Sequence, residues 1–157
     1  MRDFEQFILD SYREYLKILE VFSKTKPEKL IKQKNITDED KKVKALEIYR
    51  KLRELSFLSF CRLLKSQPHF NYRLNILQIV MPRLATKDLI IRTEITSTVF
   101  ELLKSEDNTL VDLKVEILKE LSKTVKSKEH ALMDPNLLDC LVTHKIIVDE
   151  EKAKMID

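Results

Sequence analysis

Not one of the 157 residues is glycine, where average usage of about 7% would supply roughly eleven. Primed hairpin turns, phosphate-cradling loops and strand bulges all lean on glycine's tolerance of positive φ, so none of them is easily built here. Helices joined by short polar turns manage without it, with Asn, Ser and Lys left to occupy the left-handed positions that follow helices. Cysteine is also scarce. Cys61 and Cys140 stand far apart without a CxxC partner, which points to reduced thiols in a nuclear or cytosolic setting. The opening MRDFEQFILD holds two acids and a glutamine among its apolar residues, so it reads as no secretory signal. No apolar run approaches membrane-spanning length.

What is present is an aliphatic interior with a heavily charged exterior. Hydrophobic residues at 43% and charged residues at 35% exclude disorder by composition, and 157 residues are expected to form a single helical domain, 1–157. A net charge of +3 is too small to drive nucleic-acid binding by its average field, so local clusters have to be judged separately.

The apolar residues recur at helical spacing. Phe4, Ile8, Tyr12, Leu16, Leu19 and Phe22 predict a helix over 3–24, stopped by Pro27. Lys24, Lys26, Lys29, Lys32 and Lys34 against Glu28 make the stretch around 25–36 a lysine-rich connector, solvated in the plainest reading. Thr37 with Asp40 has capping-box spacing, and 38–65 is expected to be the longest helix. After a turn at Ser66 to His69, Asn71 is placed to cap a helix through Met81 that Pro82 ends or kinks. Thr86 is the expected cap of a helix carrying Ile91, Ile95, Val99 and Leu102. Thr109 with Asp112 repeats the capping spacing before Leu113, Ile117, Leu121 and Val125. Asp134-Pro135 starts a short sixth helix with Leu137, Leu138, Leu141 and Val142. The fold class is therefore all-α, as antiparallel helical hairpins in a HEAT- or armadillo-like solenoid or as an irregular helical bundle.

Chemistry is hard to find. His69, His130 and His144 are isolated, and no HExxH, GxSxG, Walker or CxxC pattern occurs. Cys140 and His144 share a helix face at i, i+4, yet two ligands make no tetrahedral zinc site. Asp38, Glu39 and Asp40 cluster at a helix start, where the dipole and free amides account for them. The expectation is no enzyme, no catalytic residue, no metal, no cofactor, no small-molecule substrate and no membrane association.

One segment is richer than a turn requires. Ser66 to Asn75 packs two aromatics, a histidine, an arginine and two asparagines around a helix start. Phe70 reads either as a hydrophobic staple before an Asn71 cap, with Arg73 bracing a neighbouring helix, or as part of a partner-facing ridge of His69, Phe70, Asn71, Tyr72, Arg73 and Asn75, a composition that interface hot spots favour. A second candidate surface is basic: Lys24, Lys26, Lys29, Lys32 and Lys34, with Lys119, Lys123, Lys126 and Lys128 at the end of the fifth helix, would contact RNA phosphates without reading sequence.

The run Pro68-His69-Phe70-Asn71-Tyr72-Arg73, followed by Asn75-Ile76-Leu77, resembles the PHFNFR.N core of the nucleolar complex-associated protein three family. Cys61-Arg62-Leu63-Leu64-Lys65 before it agrees with that setting, and Phe4-Glu5 with Tyr12, Tyr15 and Leu16 looks like the family's first helix. The resemblance covers residues 3 to 150 and weakens after Leu84; Tyr72 stands where phenylalanine is commoner. It implies a nuclear and nucleolar scaffold in large ribosomal subunit assembly and rRNA processing, paired with the related nucleolar complex-associated protein two on pre-60S ribosomal particles. The chain is far shorter than that family's proteins and is expected to be a fragment of one. The competing expectations are a generic helical-repeat module for protein interaction and an RNA-binding domain acting through its lysine clusters.

Overall fold

The computed structural model describes residues 2–127, 130–140 and 142–143, and every regular element among them is helical. In order these are α1 (Arg2–Lys24), α2 (Pro27–Gln33), α3 (Glu39–Ser66), α4 (Arg73–Val80), a 3-10 turn at Met81–Arg83, α5 (Leu89–Lys104), a 3-10 turn at Asn108–Leu110, α6 (Val111–Val125) and a 3-10 turn at His130–Leu132. Residues 136–140 and 142–143 are again helical. The protein is all-α. Its residues fall into two compact units, Met1–Phe60 and Cys61–Asp157.

In the first unit, α1 takes the span that its apolar spacing predicts, and it buries Leu19 and Ser23. Part of the expected connector is itself folded. Pro27 opens α2 in its first turn and is buried, a position where the missing amide costs nothing and the fixed φ suits a helix. The Arg53 guanidinium donates to the Thr25 carbonyl at 3.4 Å, Arg50 pairs with Glu28 at 3.9 Å, and Phe22 stacks on Tyr49 with centroids 6.5 Å apart. These contacts tie the end of α1 and the start of α2 to the first half of α3. Asn35, at φ 50°, makes the corner between α2 and α3. It is the one left-handed residue described, on a side chain that tolerates that region better than most.

In the second unit, α6 packs against α4, against the Met81–Arg83 turn and against α5, and the same turn meets α4 and α5. Its core is aliphatic: Leu77, Met81, Leu84, Ile95, Leu103, Leu113, Ile117 and Leu121 are fully buried. Pro82 turns the chain here because it cannot donate into a continuing helix. Cys61, at the start of this unit, is completely buried. Lys65 bonds Glu94 at 2.9 Å and lies 3.6 Å from Glu101, linking the last turn of α3 to α5. By accepting that bond, the Glu94 carboxylate holds the Lys65 ammonium above its usual range.

The helix starts correct the sequence reading in a consistent way. Asp38, not Thr37, caps α3: its carboxylate accepts the Lys41 amide at 3.1 Å. Asp88, not Thr86, caps α5, accepting from Ile90 and Ile91 at 3.1 and 3.2 Å. Asp107, not Thr109, accepts the Thr109 amide at 2.9 Å and opens the 3-10 turn that leads into α6. Asn71 caps nothing; α4 starts at Arg73, preceded by Tyr72 with no side-chain cap bond. Asp134 does cap as expected, accepting from the Asn136 amide at 2.9 Å. Leu141 and His144 lie outside the described residues, so the i, i+4 pairing of Cys140 with His144 does too.

Candidate interaction surfaces

Residues 67–72 form a run of turns between α3 and α4, with Phe70 N–H donating to the Gln67 carbonyl and Arg73 N–H to the Phe70 carbonyl. That tight path exposes His69, Asn71 and Asn75 and leaves Phe70, Tyr72 and Arg73 half-buried. Phe70 and Tyr72 meet edge to face, with centroids 5.4 Å apart and ring planes at 63°, a favoured arrangement for two quadrupoles. Arg73 does not serve as the brace that its sequence position suggested. Its guanidinium folds back on its own turn, donating to the carbonyls of His69 and Phe70 at 3.3 and 3.2 Å. The His69 ring sits 3.1 Å from the Asp107 carboxylate. The hydroxyl and amide of Thr109, with His69 beside them, hold the Asp107 carboxyl below the usual carboxylate range. Of the six candidates, His69, Phe70, Tyr72 and Arg73 are thus joined by local contacts, and His69 ties them to the turn before α6.

The basic candidates separate into two places with different electrostatics. Lys24, Lys26, Lys29, Lys32 and Lys34 are exposed along the end of α1 and around α2. Lys24 pairs with Glu20, whereas Lys26, Lys29, Lys32 and Lys34 form no ion pair among the described residues. On α6, Lys119 pairs with Glu116 at 3.3 Å and Lys123 with Glu120 at 2.5 Å. Glu120 in turn holds the Lys123 ammonium above its usual range. Lys126 is exposed at the helix end, and Lys128 lies outside the described residues. Four of the five lysines of the first cluster keep their charge available, while Lys119 and Lys123 of the second are compensated by their own helix.

Two surfaces escaped the sequence reading. An open groove runs between α5 and residues 132–140, with Leu89, Phe100 and Met133 on its walls; Thr96 lines it too, and the Thr96 hydroxyl is buried without a hydrogen-bond partner among the described residues. The other is the flank of α1, where Phe4, Phe7, Tyr15, Ile18 and Val21 are exposed. The signal was present in the sequence: apolar residues on this helix span more than the single stripe that a packed surface helix needs. Among the described residues no group of three or more His, Cys, Asp or Glu side chains is placed to hold a metal, and no helix is long and apolar enough to cross a membrane.

Comparison with known proteins gives a consistent set of relatives. The chain is 26% identical over all 157 residues to the nucleolar complex protein 3 homolog of Homo sapiens, of which it covers 18%. It is 28% identical over 146 residues, 93% of its length, to the homolog of Danio rerio, covering 17% of that protein. Nucleolar complex-associated protein 3 of Arabidopsis thaliana is 25% identical over 153 residues, 98% of this chain and 15% of that protein. The chain therefore spans less than a fifth of the length of the curated relatives that it matches. No family model matches it, and no solved structure matches it.

Proposed function

Because the chain is related along its whole length to the nucleolar complex protein 3 homologs, we propose that it is a non-catalytic helical scaffold of the nucleolus, working in ribosome biogenesis at the assembly of the large-subunit precursor. That relationship is the observation that carries the reading, and the absence of glycine-dependent loops from an all-α chain is in keeping with it. The partner-facing element is the His69 to Asn75 ridge: an exposed histidine, two exposed asparagines, and an aromatic pair beside an arginine, the residue types on which interface energy concentrates. The partner is nucleolar complex-associated protein two, met on pre-60S particles, and the helices stack in HEAT- or armadillo-like fashion. Copurification with that partner tests the ridge. Phe70→Ala and Arg73→Ala, each checked for retained helicity, are expected to weaken association by tenfold or more; full association in both would remove the ridge from the interface.

A second reading, direct contact with RNA, is favoured by one observation: Lys26, Lys29, Lys32 and Lys34 are exposed without an ion pair among the described residues. Phosphates would supply affinity but no sequence preference. Binding should then weaken linearly on a log-log salt plot, at about 0.7 in slope for each single-strand phosphate contact. Replacing these four lysines by Gln should flatten that slope, whereas the same replacement at Lys119, Lys123 and Lys126 should change it less. An RNA affinity indifferent to salt would end this reading.

A further inference from the structure

The threonine that does not cap α3 is open to another use. Thr37 is exposed in the short coil at 36–38 between α2 and α3, and its hydroxyl has no hydrogen-bond partner among the described residues. The three residues that follow it are Asp38, Glu39 and Asp40, and no other serine or threonine of the chain is followed by acids at all three positions. Ser105 comes nearest, with Glu106 and Asp107 and then Asn108 after it, but it is half-buried and its hydroxyl accepts the Asp107 amide at 3.3 Å. An exposed free hydroxyl with carboxylates immediately C-terminal to it is the charge pattern by which a protein kinase with a basic substrate groove selects its acceptor. Two of the acids also serve the helix: Asp38 caps α3 through the Lys41 amide at 3.1 Å, and Glu39 pairs with Lys42 at 2.5 Å. Asp40 has no such partner among the described residues. All three stand at the terminal turn, the part of a helix that opens at least cost, so an extended substrate conformation is close at hand.

The residues upstream give an added phosphate something to act on. Between positions 26 and 36, Lys26, Lys29, Lys32 and Lys34 stand against a single acid, Glu28, which is already paired with Arg50 at 3.9 Å. None of the four lysines has an ion pair among the described residues. From Lys34 to Thr37 the chain spans at most about 11 Å even when fully extended, so a phosphate on Thr37 lies within about one Debye length of that lysine's backbone. A phosphothreonine carries about −1.5 to −2 charges at pH 7, enough to offset half or more of the local positive excess. The same phosphate would sit beside the first amides of α3, where the helix dipole favours negative charge.

We propose that Thr37 is a phosphoacceptor for an acid-directed serine/threonine kinase and that its phosphate neutralises the lysine surface around α2. In the transfer, Thr37 Oγ1 forms the new bond to the γ-phosphorus of ATP, the bond from that phosphorus to the bridging oxygen breaks, ADP leaves with the electron pair, and the hydroxyl proton passes to the kinase's base. The assignment stands apart from both the nucleolar and the RNA readings. The experiment treats the full 157-residue chain with magnesium ATP and a kinase of the casein kinase two type, and locates the product by mass spectrometry. The expected result is one phosphoryl group on Thr37, absent from Thr37→Ala and added at least tenfold more slowly to Asp40→Ala, with helicity checked by circular dichroism. Phosphorus NMR of the modified chain then reads the lysines: the phosphate should titrate below its usual value of about 6 and move back toward it when Lys32→Gln and Lys34→Gln are combined. A chain left unmodified, or modified chiefly at Ser105, overturns the acceptor assignment. An Asp40→Ala chain modified as fast as wild type overturns the acid-directed class, and a phosphate whose titration is the same without the two lysines overturns the neutralisation.

Discussion

Thr96 and Thr98 are neighbours on α5, and both are buried, yet their hydroxyls are in opposite situations. Thr98 donates to the Glu94 carbonyl at 2.8 Å, and the Thr96 hydroxyl has no partner among the described residues. A buried, unpaired hydroxyl bears its desolvation cost with nothing returned. Thr96→Val is therefore expected to be neutral or to stabilise by about 1 kcal/mol in urea denaturation, while Thr98→Val costs about 1 kcal/mol. Cys61 makes a prediction in pH. Burial pushes its thiol from an ordinary 9.0 up to about 11, against a hydrogen bond with Thr98 that pulls the other way. Its folded-state value lies above the unfolded one, so its contribution is intact below pH 9 and is lost as pH rises toward 11. Wild type should fall by about 2 kcal/mol more than Cys61→Ala across that window. Periodicity could place both threonines and Cys61 on a buried face, but it carries no information about rotamers, which decide whether a hydroxyl finds an acceptor.

At the scale of elements, the long helices were readable because their periods are long: α1, α3 and α6 fall within a residue or two of the spans that their apolar spacing predicts. Their starts were not. Thr37, Thr86 and Thr109 each stand one or two residues from the aspartate that caps, and a spacing rule cannot tell which oxygen reaches the free amides. A carboxylate wins because it accepts two bonds at once and meets the positive end of the helix with a full charge. Asp88→Ala should accordingly cost about 1 kcal/mol of stability, and Thr86→Ala clearly less, in paired denaturation curves. The connector concealed α2 because its lysines dominate the reading, although Pro27 followed by Glu28 is a normal first turn. The ridge was legible as a cluster of residue types; its internal bonds, Arg73 to its own turn and His69 to Asp107, depend on a return of the chain that no local pattern encodes. The breadth of the apolar face of α1 was legible and its exposure was not: spacing says which residues share a face, not whether a neighbour covers it.

For the whole molecule, charge is divided unevenly. Residues 1–60 hold 14 Lys and Arg against 11 Asp and Glu, and residues 61–157 hold 15 of each, so the net +3 resides entirely in the first unit. On a cation exchanger, replacing Lys26, Lys29, Lys32 and Lys34 by Gln should therefore shorten retention more than replacing Lys119, Lys123 and Lys126, whose charges α6 already offsets in part. The left-handed corner at Asn35 has a different reach. Since it is the one described residue that enters glycine's territory, glycine's absence costs the native backbone very little, and what it changes is the denatured chain. Each avoided glycine leaves that ensemble with less freedom to surrender, on the order of 0.4–1 kcal/mol per site. The protein thus begins folding from a narrower set of conformations than an average sequence of its length.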